Sequence, residues 1–568
     1  MKKKRSGPVW YLELNLGNSD NPTGKFTPAR FRPDTELETL RIIKRAAADK
    51  KLRGLFINTS GFSANREYLW ELWKALEICK TAGKKLIAYF DNADLDFYCF
   101  LSGADKIIMD NTGMLNFLGY SWGRFFVKEG LKKLGVGFRE LRYLNYKSAN
   151  ETFSRTSISK ADKEQYEAYL DDIFNLTKTT LLKNRAMSEG DFALLLKDGI
   201  LLSPEEAKSR ALVDALGREQ AVRDTIKKME FEGQDEGELL FISAGNPAFS
   251  FFNKSQKASR YTGGRAKGFG VPEIAVIHAK GNTDLERGME ARTISRLMRE
   301  LAEKSKTKAL VIRIDSPGGS AIAADFIAEA IQEIKKEIPV VVSLGQVAAS
   351  GGYWAAMYAS HICASPYTLT GSIGVIAGWF FNKGFNAKLG LNFESLRRGE
   401  HADLGAGIVL PQRDLRDDEE AKFRRCLLDL YGEFVKKASE ARNMKSEELE
   451  PLCQGRVYSG LSSQRLGLTD SLGGYLDALE IARNLSKIPA SKKVRIREYP
   501  KPKFFETMAA RFFSSTGALA FAAGLFGRLS PFDLLELRKT TQLWEDLSYR
   551  FSCNGQIMPL LPLDSGLY

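Results

Sequence analysis

The chain has 568 residues, 44% of them hydrophobic and 27% charged, with a net charge of +13 at neutral pH. That length exceeds one ordinary domain, and the apolar content with alternating strand and helix patterns supports folded α/β structure. Only three histidines (His278, His361, His401) and six cysteines without CxxC spacing occur, which excludes a histidine-rich metal site and indicates neither a zinc site nor a disulfide framework.

The start, MKKKR, is basic, and the apolar run in SGPVWYLELNLGNSD is short and broken by Glu13 and Asn15. It reads as a strand, not as a signal-peptide core or a membrane span. The net positive charge points to anionic surfaces, and without a nucleic-acid motif the expected surface is lipid head groups.

From Leu52 onward the chain repeats itself at an offset of 255. LRGLFINTS places Leu55 over Leu310, KKLIAYF places Leu86 over Val341, and GADKIIMD places Ile107 over Ile362. KLGVGFRELR (Lys133–Arg142) lies over KLGLNFESLR (Lys388–Arg397), and ALVDALG matches GLTDSLG at offset 256. Agreement over such a length means one fold used twice. Helices are expected at Tyr68–Thr81 and Ala321–Lys336. Longer amphipathic ones at Lys160–Arg185 and Asp417–Arg442 read as packing or oligomer arms. Residues 233–271, containing NKSQKASRYTGGRAKGFG, read as a basic linker. The expected division is an N-terminal repeat at 8–232, this linker, a C-terminal repeat at 272–487 and a tail at 488–568. The tail's apolar stretch is interrupted by Glu506 and Arg511, and its clean run Gly517–Phe526 is too short to span a bilayer. It would lie in a membrane interface as an amphipathic helix or bury against its own protein.

Chemistry concentrates in the second repeat. The runs ALVIRI and PVVVSL read as buried parallel strands, each ending in small residues before a helix. Ligands in such sheets bind beyond the carboxyl ends of the strands. Gly318, Gly319 and Ser350 are therefore expected together at that edge. Ser350 would stand at a helix N-terminus, followed by Gly351 and Gly352, where free N–H groups favour negative charge. Backbone amides of Gly318, Gly319 and Gly351 would form an oxyanion hole. Ser350 falls on Leu95 of the first repeat, and the glycine pair on Ser63 and Ala64, so the first repeat cannot run the same reaction.

SPGGS, VAASGGYW and TGSIGVI resemble signal peptide peptidase A (protease IV), and the internal duplication is similar to that family's long form. The resemblance implies two tandem ClpP/crotonase-like repeats with helical arms, an α/β class, and a Ser–Lys dyad without metal or cofactor. In duplicated relatives the lysine lies in a YKSA motif of the first half, here Tyr146–Ala149, so Lys147 is the implied base. Its counterpart at 147 + 255 is Ala402: the half with the serine lacks the lysine, and the reverse. Burial beside the serine would lower the lysine's pKa and let it accept a proton. Ser372 is the implied lysine-orienting hydroxyl. His401, next to Ala402, is the rival base. The family also implies cleaved signal peptides and short apolar peptides as substrates, a homotetrameric bowl, and association with the inner membrane. The family's usual N-terminal anchor is not seen before the first strand, which leaves a soluble or peripheral protein as the alternative. Two other readings are a crotonase-like acyl-CoA enzyme and a non-catalytic membrane-surface scaffold.

Overall fold

The computed structural model describes residues 8–17, 35–232, 237–245, 250–252, 256–257, 270–500 and 558. Strands run β1 (Val9–Asn15), β2 (Leu52–Asn58), β3 (Lys85–Ala93), β4 (Lys106–Leu115), β5 (Gly137–Leu141), β6 (Ala215–Leu216), β7 (Leu239–Gly245) and β8 (Gln256–Lys257). All but β5 form one parallel sheet in the order β6-β4-β3-β2-β1-β7-β8. The apolar runs of its central strands suit a sheet covered on both faces.

The second half supplies β9 (Glu273–Lys280), β10 (Thr307–Ser316), β11 (Val340–Ala349), β12 (His361–Ala364), β13 (Leu369–Gly371), β14 (Ala377–Phe381), β15 (Val457–Ser459), β16 (Ser471–Leu472) and β17 (Arg495–Tyr499). Its sheet follows β15-β13-β11-β10-β9-β17, with β12 beside β11 and β16 beside β12. Leu55 pairs with Leu86 in the first sheet, and Leu310, 255 residues on, pairs with Val340 in the second, one position from the counterpart of Leu86. The duplication read from the sequence is thus a duplication of strand pairing.

The two sheets share a helical layer. Helices Thr35–Ala48, Arg66–Thr81 and Tyr475–Leu485 pack between them in one core that takes residues from both. Strand periodicity divides β10 accordingly: Ala309 and Val311 enter that core, while Leu310, Ile312 and Ile314 face helices Ala291–Ala302 and Ala321–Ile334 on the far side. Arg313 shares the side of Ala309 and Val311. Its buried guanidinium lies 2.5 Å from Glu67 and 2.8 Å from Glu71 of the opposite repeat, 4.2 Å above the Tyr475 ring. Burial holds the Glu67 carboxyl well above the usual range against the pull of Arg313. The arm Lys160–Asn184 crosses to the other half, where Tyr166, Tyr169 and Ile173 pack with Ala349, Leu369 and Val457. The matching arm Asp417–Arg442 packs Leu427, Phe434 and Ala438 into the core of its own half.

Two segments differ from the expected linker and tail. Leu239–Gly245, inside 233–271, is β7, parallel to β1; its apolar LLFISA run pairs an edge of β1 that would otherwise carry unsatisfied backbone groups. Arg495–Tyr499, inside 488–568, is β17, parallel to β9. The basic NKSQ…GFG stretch falls largely outside the described residues, as does the tail beyond Pro500 except Met558, so the interfacial-helix expectation lies outside them too. Among the described residues no helix is long and apolar enough to cross a membrane.

Candidate active site

The site forms where β11 gives way to a short helix, Gly351–Ala356. Ser350 sits between them at φ 59°, ψ −114°, a conformation that L residues rarely adopt. It is held there from both sides: its N–H donates to Gly371 O at 2.8 Å, and its carbonyl accepts from Trp354 N at 2.9 Å. The turn projects Oγ off the carboxyl end of the strand.

Oγ meets Lys147 from the other repeat. Lys147 Nζ lies 2.6 Å from Ser350 Oγ, 2.8 Å from Ser372 Oγ and 2.9 Å from Ser372 O. Lys147 is 1% exposed and Ser350 fully buried. No carboxylate is among those contacts, and burial alone drives the Lys147 pKa well below its ordinary value. The loop carrying Lys147 is tied to the second repeat by Tyr146 N donating to Gln454 O at 3.0 Å. Beside it, Gly455 has φ +81°, and a Cβ there would come within 2.6 Å of Lys147 Cβ, so only glycine fits. Ser372 is also left-handed, at φ 52°, with its N–H donating to Arg456 O at 2.7 Å. The lysine is thus boxed in by the segments 371–373 and 454–456.

The glycine pair arrives from the end of β10. Gly318 O accepts from Thr283 N at 2.8 Å, and Ser320 N donates to Thr283 O at 2.7 Å, which pins the turn to the end of β9. Gly351 packs directly on it: a side chain there would stand 3.2 Å from Gly319 N. The Gly318 amide turns back to Ser316 Oγ at 3.3 Å, whereas the amides of Gly319 and Gly351 have no acceptor among the described residues. Two adjacent donors beside a serine hydroxyl can cradle a developing oxyanion.

The structure therefore brings Ser350, Lys147, Ser372, Gly318, Gly319 and Gly351 to one place. It does not bring His401, whose Nδ1 is 2.9 Å from Glu419 and whose Nε2 is 3.6 Å from Asp418. His361 bonds Ser471 at 2.8 Å, and His278 lies between Glu498 and Tyr475. Sequence reasoning missed Thr283, whose buried Oγ1 is 3.0 Å from Ser316 Oγ beneath the glycine turn. Its one signal was the GNTD turn directly after β9. Met558 also touches this region, bridging Ile376 in both directions at 2.8 and 3.0 Å and packing on Ala149.

A serine at a strand–helix turn of a parallel α/β sheet, with a buried lysine amine at its hydroxyl, fits a serine-type peptidase. Residues 79–232 and 332–489 match Peptidase family S49, and residues 280–362 match the Clp protease family. The chain belongs to Peptidase family S49. It is 28% identical over 509 residues to the chloroplastic serine protease SPPA of Arabidopsis thaliana, covering 88% of this chain and 72% of that one. Protease 4 of Haemophilus influenzae is 28% identical over 453 residues, 78% of this chain and 72% of its own length. A putative protease of Synechocystis is 34% identical over 201 residues, 35% of this chain and 71% of that protein. These relatives favour a peptidase over the acyl-CoA and scaffold readings.

Proposed function

We propose that Ser350 is the nucleophile and Lys147 the general base of this serine peptidase, with Ser372 orienting the lysine. The observation that carries the reading is the 2.6 Å approach of a wholly buried lysine amine to the serine hydroxyl, with no carboxylate among its bonded partners. A neutral amine accepts the Ser350 proton as Oγ attacks the peptide carbonyl. The tetrahedral oxyanion receives N–H groups from Gly319 and Gly351, with Gly318 shaping the turn. Lys147 returns the proton to the leaving amine, and an acyl-enzyme remains on Ser350. Water, deprotonated by the same amine, then releases the acid. Every step uses this chain's own groups.

Within this reading the repeat at 8–232 supplies the base and that at 272–487 the nucleophile. A site this enclosed favours short, extended, apolar peptides, of which cleaved signal peptides are the natural source. The basic balance and the apolar tail suit work at an anionic membrane surface. The test is hydrolysis of a fluorogenic apolar peptide by wild type, Ser350→Ala and Lys147→Ala. Loss of turnover in both, with folding retained, is the expected outcome. Full activity in Lys147→Ala overturns the base assignment, and activity in Ser350→Ala overturns the nucleophile.

A further inference from the structure

Two buried hydroxyls outside the proposed Ser350–Lys147–Ser372 set lie between the two glycine turns of the site. Thr283 follows β9 and Ser316 ends β10, and both are wholly buried. Thr283 Oγ1 lies 3.0 Å from Ser316 Oγ and 3.6 Å from Met289 Sδ. The Gly318 amide donates to Ser316 Oγ at 3.3 Å. A thioether can only accept, so the Thr283 O–H is directed to Met289 and the Ser316 O–H to Thr283. The hydrogen bonds then run one way, from Gly318 N–H through both hydroxyls to Met289.

The same pair touches both turns. Thr283 N donates to Gly318 O at 2.8 Å and Thr283 O accepts from Ser320 N at 2.7 Å, so the backbone of 318–320 is laid along Thr283. From the other turn, a Cβ at Gly351 would stand 3.1 Å from Thr283 Oγ1, and one at Gly352 would stand 2.7 Å from Ser316 O. Thr283 and Ser316 are thus the common floor of the Gly319 and Gly351 amides. Gly318 and Gly319 both have positive φ, at 108° and 151°, and no side chain of their own to fix them. In the first repeat Ser316 falls on Gly61, where the glycine pair falls on Ser63 and Ala64, so hydroxyl and glycines are absent together. There β2 still pairs with β1 and β3, so the strand forms without that hydroxyl.

We propose that Thr283, acting through Ser316, is a positioning residue of the reaction: its hydroxyl locks the Gly318 peptide so that the Gly319 and Gly351 amides stay aimed at the oxyanion. The inference rests on the Ser350–Lys147 reading above. Thr283 touches no substrate and carries no proton to or from it. Its effect falls on the transition state, where the substrate oxygen bears charge, and hardly on the bound ground state, where the carbonyl is neutral. Donors of this kind work because their direction is set before the reaction begins.

The experiment is steady-state hydrolysis of a fluorogenic apolar peptide by the full chain as wild type, Thr283→Val, Thr283→Ser and Ser350→Ala, with thermal melts alongside. Losing one oxyanion donor outright costs about 10²–10³ in kcat, and misaimed donors in Thr283→Val are expected to cost about 10–100-fold. KM is expected to stay within about twofold, because ground-state binding is untouched. Thr283→Ser keeps the hydroxyl and is expected to restore kcat to within about threefold of wild type. An apolar peptide aldehyde gives a second readout. Ser350 Oγ bonds the aldehyde carbon, the hydroxyl proton passes to Lys147, and the carbonyl π electrons move to the oxygen, which then stands in for the oxyanion. Its inhibition constant is expected to rise in Thr283→Val by the factor that kcat falls. Wild-type kcat in Thr283→Val, an unchanged inhibition constant, or a Thr283→Ser no better than Thr283→Val overturns the inference. Should Thr283→Val fail to fold, Ser316→Ala breaks the same chain of hydrogen bonds and is expected to lower kcat at constant KM; wild-type kcat there overturns the inference equally. Turnover by Ser350→Ala overturns the nucleophile reading and this inference with it, whereas an inert Ser350→Ala beside a fully active Thr283→Val overturns this inference alone.

Discussion

The two repeats share strand order around β2, β3, β10 and β11 and differ at the turns that carry the proposed site. In the second, the turn after β11 holds Ser350 at positive φ, with the Gly318–Gly319 turn against it. In the first, the matching turn has Asp94 capping a helix by accepting from Phe97 N, and Leu95 points into the core. A helix cap and a buried leucine stabilise; a strained serine and two amides with no acceptor among the described residues do not. The first repeat has kept the packing version of the turn and lent its loop lysine to the neighbour. In the proposed reading the site belongs to the junction, and neither repeat owns it.

Removing either side of that junction has the largest effect. Ser350→Ala and Lys147→Ala are each expected to lower kcat/KM by about 10³-fold or more, since members of a nucleophile–base pair fail as a unit. Steady-state kinetics on an apolar peptide, with thermal melts to confirm folding, checks this. Next comes the tie between repeats beneath the site. Arg313→Ala leaves Glu67 and Glu71 buried without their cation, and is expected to destabilise by about 3–5 kcal/mol, read by urea unfolding. A loss under 1 kcal/mol would show that the ion cluster contributes little to holding the halves together.

The depressed Lys147 pKa sets a pH dependence in two observables. Activity is expected to fall about tenfold per unit as pH drops below the lysine's folded pKa, because the amine is then protonated. Stability takes its sign from the same shift. Between the folded pKa and the unfolded value near ~10.4, the unfolded chain holds a proton that the folded chain lacks. The contribution of this group to stability therefore rises with pH through that window, and Lys147→Met should remove the rise in urea titrations run at several pH values. Ser372→Ala is a smaller perturbation, about tenfold in kcat, and should move the pH profile because one partner of the amine is gone. An unchanged profile would mean that the serine only shapes the turn.

How much of this was legible depends on sequence distance. Ser350 and Lys147 lie 203 residues apart; Ser350 was legible from its glycine turn, whereas Lys147 was singled out by the YKSA resemblance together with the absence of a lysine at its counterpart Ala402. β10 and β11 were legible as apolar runs bounded by glycine. Arg313 was not: within ALVIRI it read as a strand residue, and its partners Glu67 and Glu71 lie on a helix of the other half, where no local pattern points to them. β7 and β17 were hidden for a related reason. Their partners β1 and β9 are remote in the chain, and β17 is a short edge strand, so composition alone reads both segments as linker or tail. Thr283 escaped because a threonine in a turn carries no periodic signal.

The smallest effect on activity sharpens the comparison most. Leu95→Ser restores the hydroxyl type to the first repeat, and no gain in activity is expected. The new serine would have no lysine beside it, because Ala402 holds the matching position and belongs to the other end of the chain. Neither would it have the glycine turn, since Ser63 and Ala64 stand where Gly318 and Gly319 stand. The substitution removes a buried leucine side chain, so a lower melting temperature is expected with activity unchanged below the melt. The informative step is to assay Leu95→Ser in a Ser350→Ala background. Any turnover there would show that a serine at this turn reacts without the junction's lysine, and the dependence of the site on both repeats would have to be abandoned.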